Sequence, residues 1–176
     1  MTEEFAWYKL AEADDDLLQG DLIRECPIIV PQGQFIETDE LDVVTRHYNA
    51  VIMSQSCDLE QGKIDLVLVC PFWDLTEFVE GGKDDFLRSR KGKEALRRGY
   101  LPGYHLLNRC SIEGFETDYL VVDFRNVYGV PFDSLSGLTR ARGPRIRLLP
   151  PYREHLSQAF ARYFMRVGLP VDIPPF

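Results

Sequence analysis

Short apolar runs bounded by turn residues dominate the hydrophobic pattern of the chain. Runs rich in Val, Ile and Leu lie between clusters of Gly, Pro and Asp, an arrangement typical of β-strands. The clearest run, IDLVLVC at residues 64–70, begins after Gln61 and Gly62 and ends before Pro71. The pattern predicts five strands, at residues 21–30, 43–55, 64–70, 105–112 and 119–127.

Two segments have a helical pattern instead. Residues 84–98 begin with acidic residues and end with arginines before Gly99, which indicates a short exposed helix that Gly92 weakens in its middle. Residues 151–167 follow Pro151 and end at Gly168, and their apolar residues recur at helical spacing, which predicts an amphipathic helix. Its predicted buried face consists of Tyr152, Leu156, Ala159, Phe160, Tyr163, Phe164 and Val167.

These elements predict a mainly β fold with α-helices, in which a small antiparallel β-barrel is closed by the C-terminal helix. The chain has 176 residues, no internal repeat and no Pro/Ser linker, so we expect one domain over residues 1–176. Residues 1–16 and 169–176 are expected to be peripheral segments.

Cysteine usage and the N-terminus indicate a cytoplasmic protein. The four cysteines form no CxxC pair, the first residues are acidic, and no run of eighteen apolar residues is present. We therefore expect no membrane partner. The gaps of 31, 13 and 40 residues between cysteines match no zinc-ligand spacing, and no phosphate-binding or dinucleotide motif occurs, so neither a metal nor a cofactor is expected.

Charge is unevenly distributed along the chain, whose net charge is −8. Residues 1–60 carry fourteen acids and three bases, whereas residues 61–176 carry fourteen acids and seventeen bases. The acidic first third would suit a basic protein partner. The densest basic cluster, with Trp73 as a candidate base-stacking residue, is predicted to bind nucleic acid; it consists of Arg88, Arg90, Lys91, Lys93, Arg97 and Arg98.

The basic residues also have structural explanations. The alternative for the first cluster is a solvated surface that keeps a helix soluble, which is the usual meaning of a run of charged residues. A second cluster at Arg140, Arg142, Arg145, Arg147 and Arg153 would serve phosphate binding or, at residues 145–148, an edge strand protected by arginines. Asp123 and Arg125 are predicted to form a structural ion pair.

The string Ser54-Gln55-Ser56-Cys57-Asp58 lies directly after an apolar strand. Ser56, Cys57 and Asp58 are candidates for a reactive or ligand-binding loop, with His47 or His105 as a base. The alternative is a tight turn whose polar side chains bind nearby backbone, and a carboxylate beside the thiol favours this alternative because it disfavours the thiolate.

Three strings together resemble the MazF/PemK-like toxin family: QGDLI at residues 19–23, VIMSQ at 51–55 and VLVCPF at 67–72. The later strand 119–127, a crossover at 130–138 and the helix at 152–167 follow in the family's order. The resemblance implies an SH3-like barrel, a toxin-antitoxin context, cleavage of single-stranded RNA and a possible homodimer.

The resemblance also suggests catalytic positions. Arg46 lies near the place of the family's arginine, and Trp73 followed by Asp74 replaces the usual Thr or Ser. Transesterification needs a base and a cation at the phosphate, which Arg46 with His47 or Asp74 would supply. The sequence therefore supports an RNA-binding, RNA-cleaving barrel; the alternatives are a catalytically inactive barrel that acts as a protein-interaction or regulatory module, and a thiol-dependent activity at Cys57.

Overall fold

The computed structural model describes residues 5–33, 42–82 and 84–165, and in these ranges the fold is mixed α and β with antiparallel pairing. The strands are β1 (Tyr8–Ala11), β2 (Leu22–Pro31), β3 (Val43–Ile52), β4 (Leu66–Asp74), β5 (Tyr104–Leu107), β6 (Leu120–Asp123), β7 (Tyr128–Pro131) and β8 (Arg145–Leu148). The helices are α1 (Ser56–Glu60), α2 (Leu75–Glu80), α3 (Arg90–Arg97), α4 (Phe132–Arg142) and α5 (Tyr152–Phe164). None of the described helices has the length and hydrophobicity required to cross a bilayer.

The strands form two sheets. Six of them pair in the order β2-β3-β4-β6-β5, with β7 also paired to β4, and β1 pairs with β8. One bridge between Asp21 and Arg147 joins the second sheet to the start of β2. Among the described residues the strands thus form two open sheets and not the closed barrel that the pattern predicts.

The strand predicted at residues 119–127 is shorter than expected. It ends at Asp123, and the chain resumes pairing with β4 at Tyr128, which lies opposite Val69. The interruption lies beside Pro71, which has no N–H group to donate to a neighbouring strand. In the excursion, the buried carboxylate of Asp123 accepts two hydrogen bonds from the Arg125 guanidinium at 2.9 Å, so the predicted ion pair is confirmed.

Two other predicted strands also end early. The strand expected over residues 43–55 ends at Ile52, and the Ser54 hydroxyl then accepts a hydrogen bond from the Leu68 N–H at 2.8 Å. The following segment contains α1, where a loop was predicted. The strand expected over residues 105–112 ends at Leu107, and beyond it only Cys110 makes an isolated bridge, with Thr117.

The basic segment 84–98 is not one continuous helix. A 3-10 turn covers Asp85–Arg88, and α3 begins after Ser89, whose hydroxyl accepts a hydrogen bond from the Gly92 N–H. Gly92 is buried because the backbone of the 3-10 turn packs directly against it. A Cβ atom at this position would lie 2.0 Å from the Phe86 carbonyl oxygen. The glycine therefore permits the packing that holds α3 in place.

The apolar face predicted for α5 is confirmed for most of the length of the helix. Leu156 is buried, and Tyr152, Ala159, Phe160 and Tyr163 pack on the same core as β4, β6 and β8. Phe164, in contrast, is 59% exposed at the end of the helix. Val167 lies outside the described residues. Part of the segment expected to be peripheral, residues 8–11, forms β1 and contributes the buried Tyr8 and Ala11 to the interior.

Three charged side chains are buried where β1, β2 and β8 meet. Asp21 accepts hydrogen bonds from the Nε atoms of Arg145, at 2.7 Å, and of Arg147. Arg145 also donates to the backbone carbonyls of Glu12, Asp15 and Asp16. These two arginines of the second basic cluster are only 5% exposed, so they are not available to bind phosphate, and β8 is not a solvent-exposed edge.

We expect Asp21→Asn to lower the free energy of unfolding by about 3–5 kcal/mol, because it leaves two buried arginines without an anion. Urea unfolding at neutral pH measures this loss. Asp118→Asn is the matched control, since it removes a carboxylate that pairs with Arg109 on the exposed surface, and it should change the stability little. Equal effects of the two substitutions would contradict the structural role of the buried cluster.

A glycine-to-alanine pair tests the packing of α3. Gly92→Ala should lower the free energy of unfolding by about 1–3 kcal/mol, because the new methyl group has no space. This loss is expected despite the better helix propensity of alanine. Gly137→Ala in α4, where nothing lies within 4 Å of the new atom, should instead stabilise the protein by up to about 1 kcal/mol. Thermal unfolding of the two variants measures these opposite changes in stability. A stabilised Gly92→Ala protein would show that the packing is loose.

Candidate nucleic-acid interface

A cleft lies between α3 and α5, above β5. Its cavity has a volume of about 270 Å³, and it is lined from α3 by Arg97 and Arg98, from β5 by His105, and from α5 by His155 and Arg162. The side chains of α5 reach this cleft because the opposite face of the helix is buried against the core. The cleft thus collects basic side chains from the α3 segment, β5 and α5.

A second cavity of about 610 Å³ adjoins the first along α3. The two cavities share Arg97, Arg98 and Leu106, and we refer to them together as the α3 cleft. The cationic side chains that line the α3 cleft are Arg90, Lys93, Arg97, Arg98 and Arg162, and its one carboxylate is Glu94. Five positive charges and one negative charge give this surface a formal charge of +4, against −8 for the whole chain.

Glu94 orients the two arginines at the centre of the cleft. Its carboxylate accepts two hydrogen bonds from Arg97 at 2.7 Å and one from Arg98 at 2.6 Å. These hydrogen bonds lower the pKa of Glu94 to about 2. Because Glu94 lies one turn before both arginines, it holds their guanidinium groups on the same side of α3 while it cancels one of the two charges.

His105 and His155 are the titratable bases of the cleft. The His105 ring stacks near Phe124, with 6.2 Å between ring centroids. Burial of the imidazole lowers the pKa of His105 to about 4, with a smaller contribution from the nearby His155. His105 is therefore neutral at pH 7. A base with this pKa is weak at neutral pH, because proton transfer is most efficient when the pKa lies near the operating pH.

The predicted nucleic-acid residues are partly brought together. Arg90, Lys93, Arg97 and Arg98 line the α3 cleft at helical spacing. Arg88 lies in the 3-10 turn, 3.4 Å from Asp85, and Lys91 is exposed on α3. Trp73 packs among apolar side chains, with its ring centroid 5.6 Å from that of Phe78, so it is not an open stacking platform.

The sequence interpretation missed the contribution of α5. His155, Gln158 and Arg162 recur at helical spacing on the face opposite Leu156 and Phe160. This polar stripe was visible in the sequence, but the pairing of α5 with α3 across the cleft was not, since it depends on the tertiary packing.

The predicted catalytic residues lie outside the α3 cleft. Arg46 and His47 are consecutive residues of β3, so their side chains lie on opposite faces of the strand. A hydrogen bond with Tyr48, whose ring stacks on Tyr128 at 5.6 Å, raises the pKa of Arg46. Asp74 ends β4, opposite Leu120, and none of the three residues lines the α3 cleft. Their catalytic role stays a prediction.

The string around Cys57 makes structural hydrogen bonds. The Ser56 hydroxyl accepts from the Gln19 N–H at 3.2 Å, and the Gln55 amide donates to the Ser157 hydroxyl at 3.2 Å. Cys57 is exposed in α1, with its Sγ atom 3.8 Å from an Asp58 carboxylate oxygen. The two hydrogen bonds thus join the start of α1 to the segment before β2 and to α5. Among the described residues, no group of three or more His, Cys, Asp and Glu side chains could hold a metal ion.

Comparisons with protein-family models, with curated proteins and with solved structures find no match to this chain.

Proposed function

We propose that this chain binds single-stranded RNA in the α3 cleft. The observation that carries the proposal is the concentration of five cationic side chains, opposed by one carboxylate, in a chain with a net charge of −8. Ion pairs with phosphates provide most of the affinity of proteins for nucleic-acid backbones. An acidic protein that binds a polyanion needs such a local excess of positive charge, because its average charge repels the ligand.

Aromatic side chains near the cleft favour unpaired bases over a duplex. Tyr100 is 69% exposed and directly follows Gly99, a residue of the cleft wall, and Tyr119 lines the second cavity. Stacking of bases on aromatic rings next to a basic groove is the usual mode of single-strand binding. The proposed arrangement is a phosphate backbone along α3, with bases turned towards these rings.

The proposal includes a divergent relationship to the MazF/PemK-like toxins. In its support, Gly20 and Asp21 directly precede β2, β3 pairs antiparallel with β2 and β4 antiparallel with β3, and α5 is the last element of the described fold. The departures are the open sheet, the inserted segment from α2 to α3, and Trp73 at the position of the family's hydroxyl residue. A chain changed in this way would keep the affinity for RNA while it loses the family's cleavage chemistry.

Endoribonuclease activity is the second candidate function. It is favoured by the presence of two imidazoles and three arginines around the same cavity, which are the groups needed to move protons and to stabilise a phosphorane-like transition state. The low pKa of His105 weighs against it at neutral pH. Binding without rapid cleavage is therefore the function that this geometry supports best.

RNA binding should weaken steeply with salt. We expect a plot of log affinity against log salt concentration to have a slope of about −2 to −3.5, from roughly 0.7 for each of three to five phosphate contacts. Fluorescence anisotropy with a labelled single-stranded RNA measures it, and DNA of the same sequence shows whether the 2′-hydroxyl contributes. A salt-independent affinity, or none, would count against the proposal.

Charge variants locate the site in the same assay. Lys93→Glu with Arg162→Glu should reduce the affinity about tenfold or more, since the two reversals bring the cleft from +4 to zero. Lys63→Glu with Arg140→Glu is the matched control, because it changes the net charge equally at exposed positions outside the cleft. Glu94→Gln should tighten binding about threefold or more, as it removes the one anion of the cleft. The location is wrong if the control pair loses as much affinity.

Cleavage is tested separately, with the same RNA incubated at pH 5, 6 and 7. If the imidazoles act on the phosphodiester, His155→Ala should abolish discrete fragments while the affinity measured by anisotropy changes less than about threefold. Intact RNA with the unmodified protein at every pH would remove the endoribonuclease candidate and leave the binding proposal untouched.

A further inference from the structure

A separate pocket lies where β2, the loop before β6, and the connection between α4 and β8 meet. Its cavity has a volume of about 380 Å³, and Leu22, Phe72, Phe115 and Ile146 form its apolar walls. This volume is at the lower end of the range for sites of small organic ligands. We refer to it as the β2 pocket; it shares no lining residue with the α3 cleft.

The charged side chains of the β2 pocket are all basic, and its neutral polar side chains are those of Thr117 and Thr139. Arg24, Arg142 and Arg145 line it, and no carboxylate does. Arg145 is paired with the buried Asp21. Arg142 donates to the backbone carbonyls of Arg24 and Glu25, which are neutral acceptors, and the Arg24 guanidinium lies 5.9 Å from the centre of the Phe115 ring. Among the described residues, neither Arg24 nor Arg142 forms an ion pair with a carboxylate.

The rim of the pocket is held in an unusual backbone conformation. Glu25 has a φ of 50°, the one positive value at a described residue other than glycine, in the bulge of β2 between Ile23 and Cys26. The bulge is fixed from both sides, because the Glu25 N–H donates to the Asn49 side chain at 3.1 Å and Arg142 binds the Glu25 carbonyl at 3.0 Å. Fixed strain of this kind is concentrated at binding sites, and bulges reorient side chains there.

We propose that the β2 pocket binds a small molecule that combines a flat aromatic ring with one anionic group. The ring would lie between the apolar walls and the Phe115 side chain, where dispersion and stacking stabilise it. The phosphate or carboxylate would lie at the mouth of the pocket, beside Arg24 and Arg142. An anion at this position provides a charge partner that the described residues do not give either guanidinium group, in a region that the apolar walls partly shield from water.

Two sources share this chemistry, a nucleoside monophosphate and an aromatic carboxylate. Titrations with 5′-AMP, adenosine, indole-3-acetate and inorganic phosphate separate them, with the methyl NMR signals of Leu22 and Ile146 as local reporters. The tighter-binding of the two anionic ring compounds, 5′-AMP or indole-3-acetate, should bind at least about tenfold more tightly than adenosine and than phosphate alone. Tighter binding of 5′-AMP identifies a nucleotide site, and tighter binding of the carboxylate identifies the other source.

Variants that retain the fold decide whether the proposal holds. Arg24 is exposed, so Arg24→Gln should fold normally and reduce the affinity for the anionic compound about fivefold or more. Arg109→Gln is the matched control and should have no effect. The Lys93→Glu, Arg162→Glu protein should bind the small molecule normally, so a failure of the RNA proposal does not affect this test. No saturation at millimolar concentrations, equal binding of adenosine, or an unchanged Arg24→Gln protein would each overturn the proposal.

Discussion

The buried contact between Asp21 and the arginines of β8 joins the segment before β2 to the strand that precedes the last described helix. Asp21 and Arg147 are separated by 126 residues, yet they hydrogen bond inside the protein. Burial of one carboxylate and two guanidinium groups is tolerated because the backbone carbonyls of residues 12, 15 and 16 accept further hydrogen bonds from the two arginines. The first sheet, the second sheet and the acidic N-terminal segment therefore depend on one another.

This contact also positions the proposed RNA site. Helix α5 begins four residues after β8, and Tyr152 stacks on Trp7 with 3.6 Å between ring centroids. Gly20 completes the junction: it has a φ of 85°, and a Cβ atom there would lie 2.9 Å from the Leu148 side chain, so only glycine allows the strands to approach. The direction of α5, and with it the placement of His155 and Arg162 opposite α3, follows from the packing of β8 against residues 20 and 21.

Local patterns in the sequence are sufficient to predict elements whose stability depends on one buried face. The spacing of Leu156 and Phe160 predicted α5, and the apolar run before Pro71 predicted β4. Contacts between distant segments were not predictable in this way. Arg145 and Arg147 resembled surface residues because arginine is rarely buried, and their partner Asp21 lies in another part of the sequence. Gly92 resembled a weak point of a helix, although the structure uses its lack of a side chain for close packing.

The arginines of this chain differ in function according to what neutralises them. Arg145 and Arg147 share a buried carboxylate and carbonyl groups, so their charge is used within the fold. Arg109 pairs with Asp118 at the surface, where such a pair contributes little beyond solubility. Arg97 and Arg98 share the single carboxylate of Glu94, and Arg24 and Arg142 lie beside an apolar pocket that contains no carboxylate. Excess positive charge next to a cavity is costly for a free protein and favourable once an anion binds. The same physical argument therefore supports a polyanion in the wide, open α3 cleft and a small aromatic anion in the narrower β2 pocket.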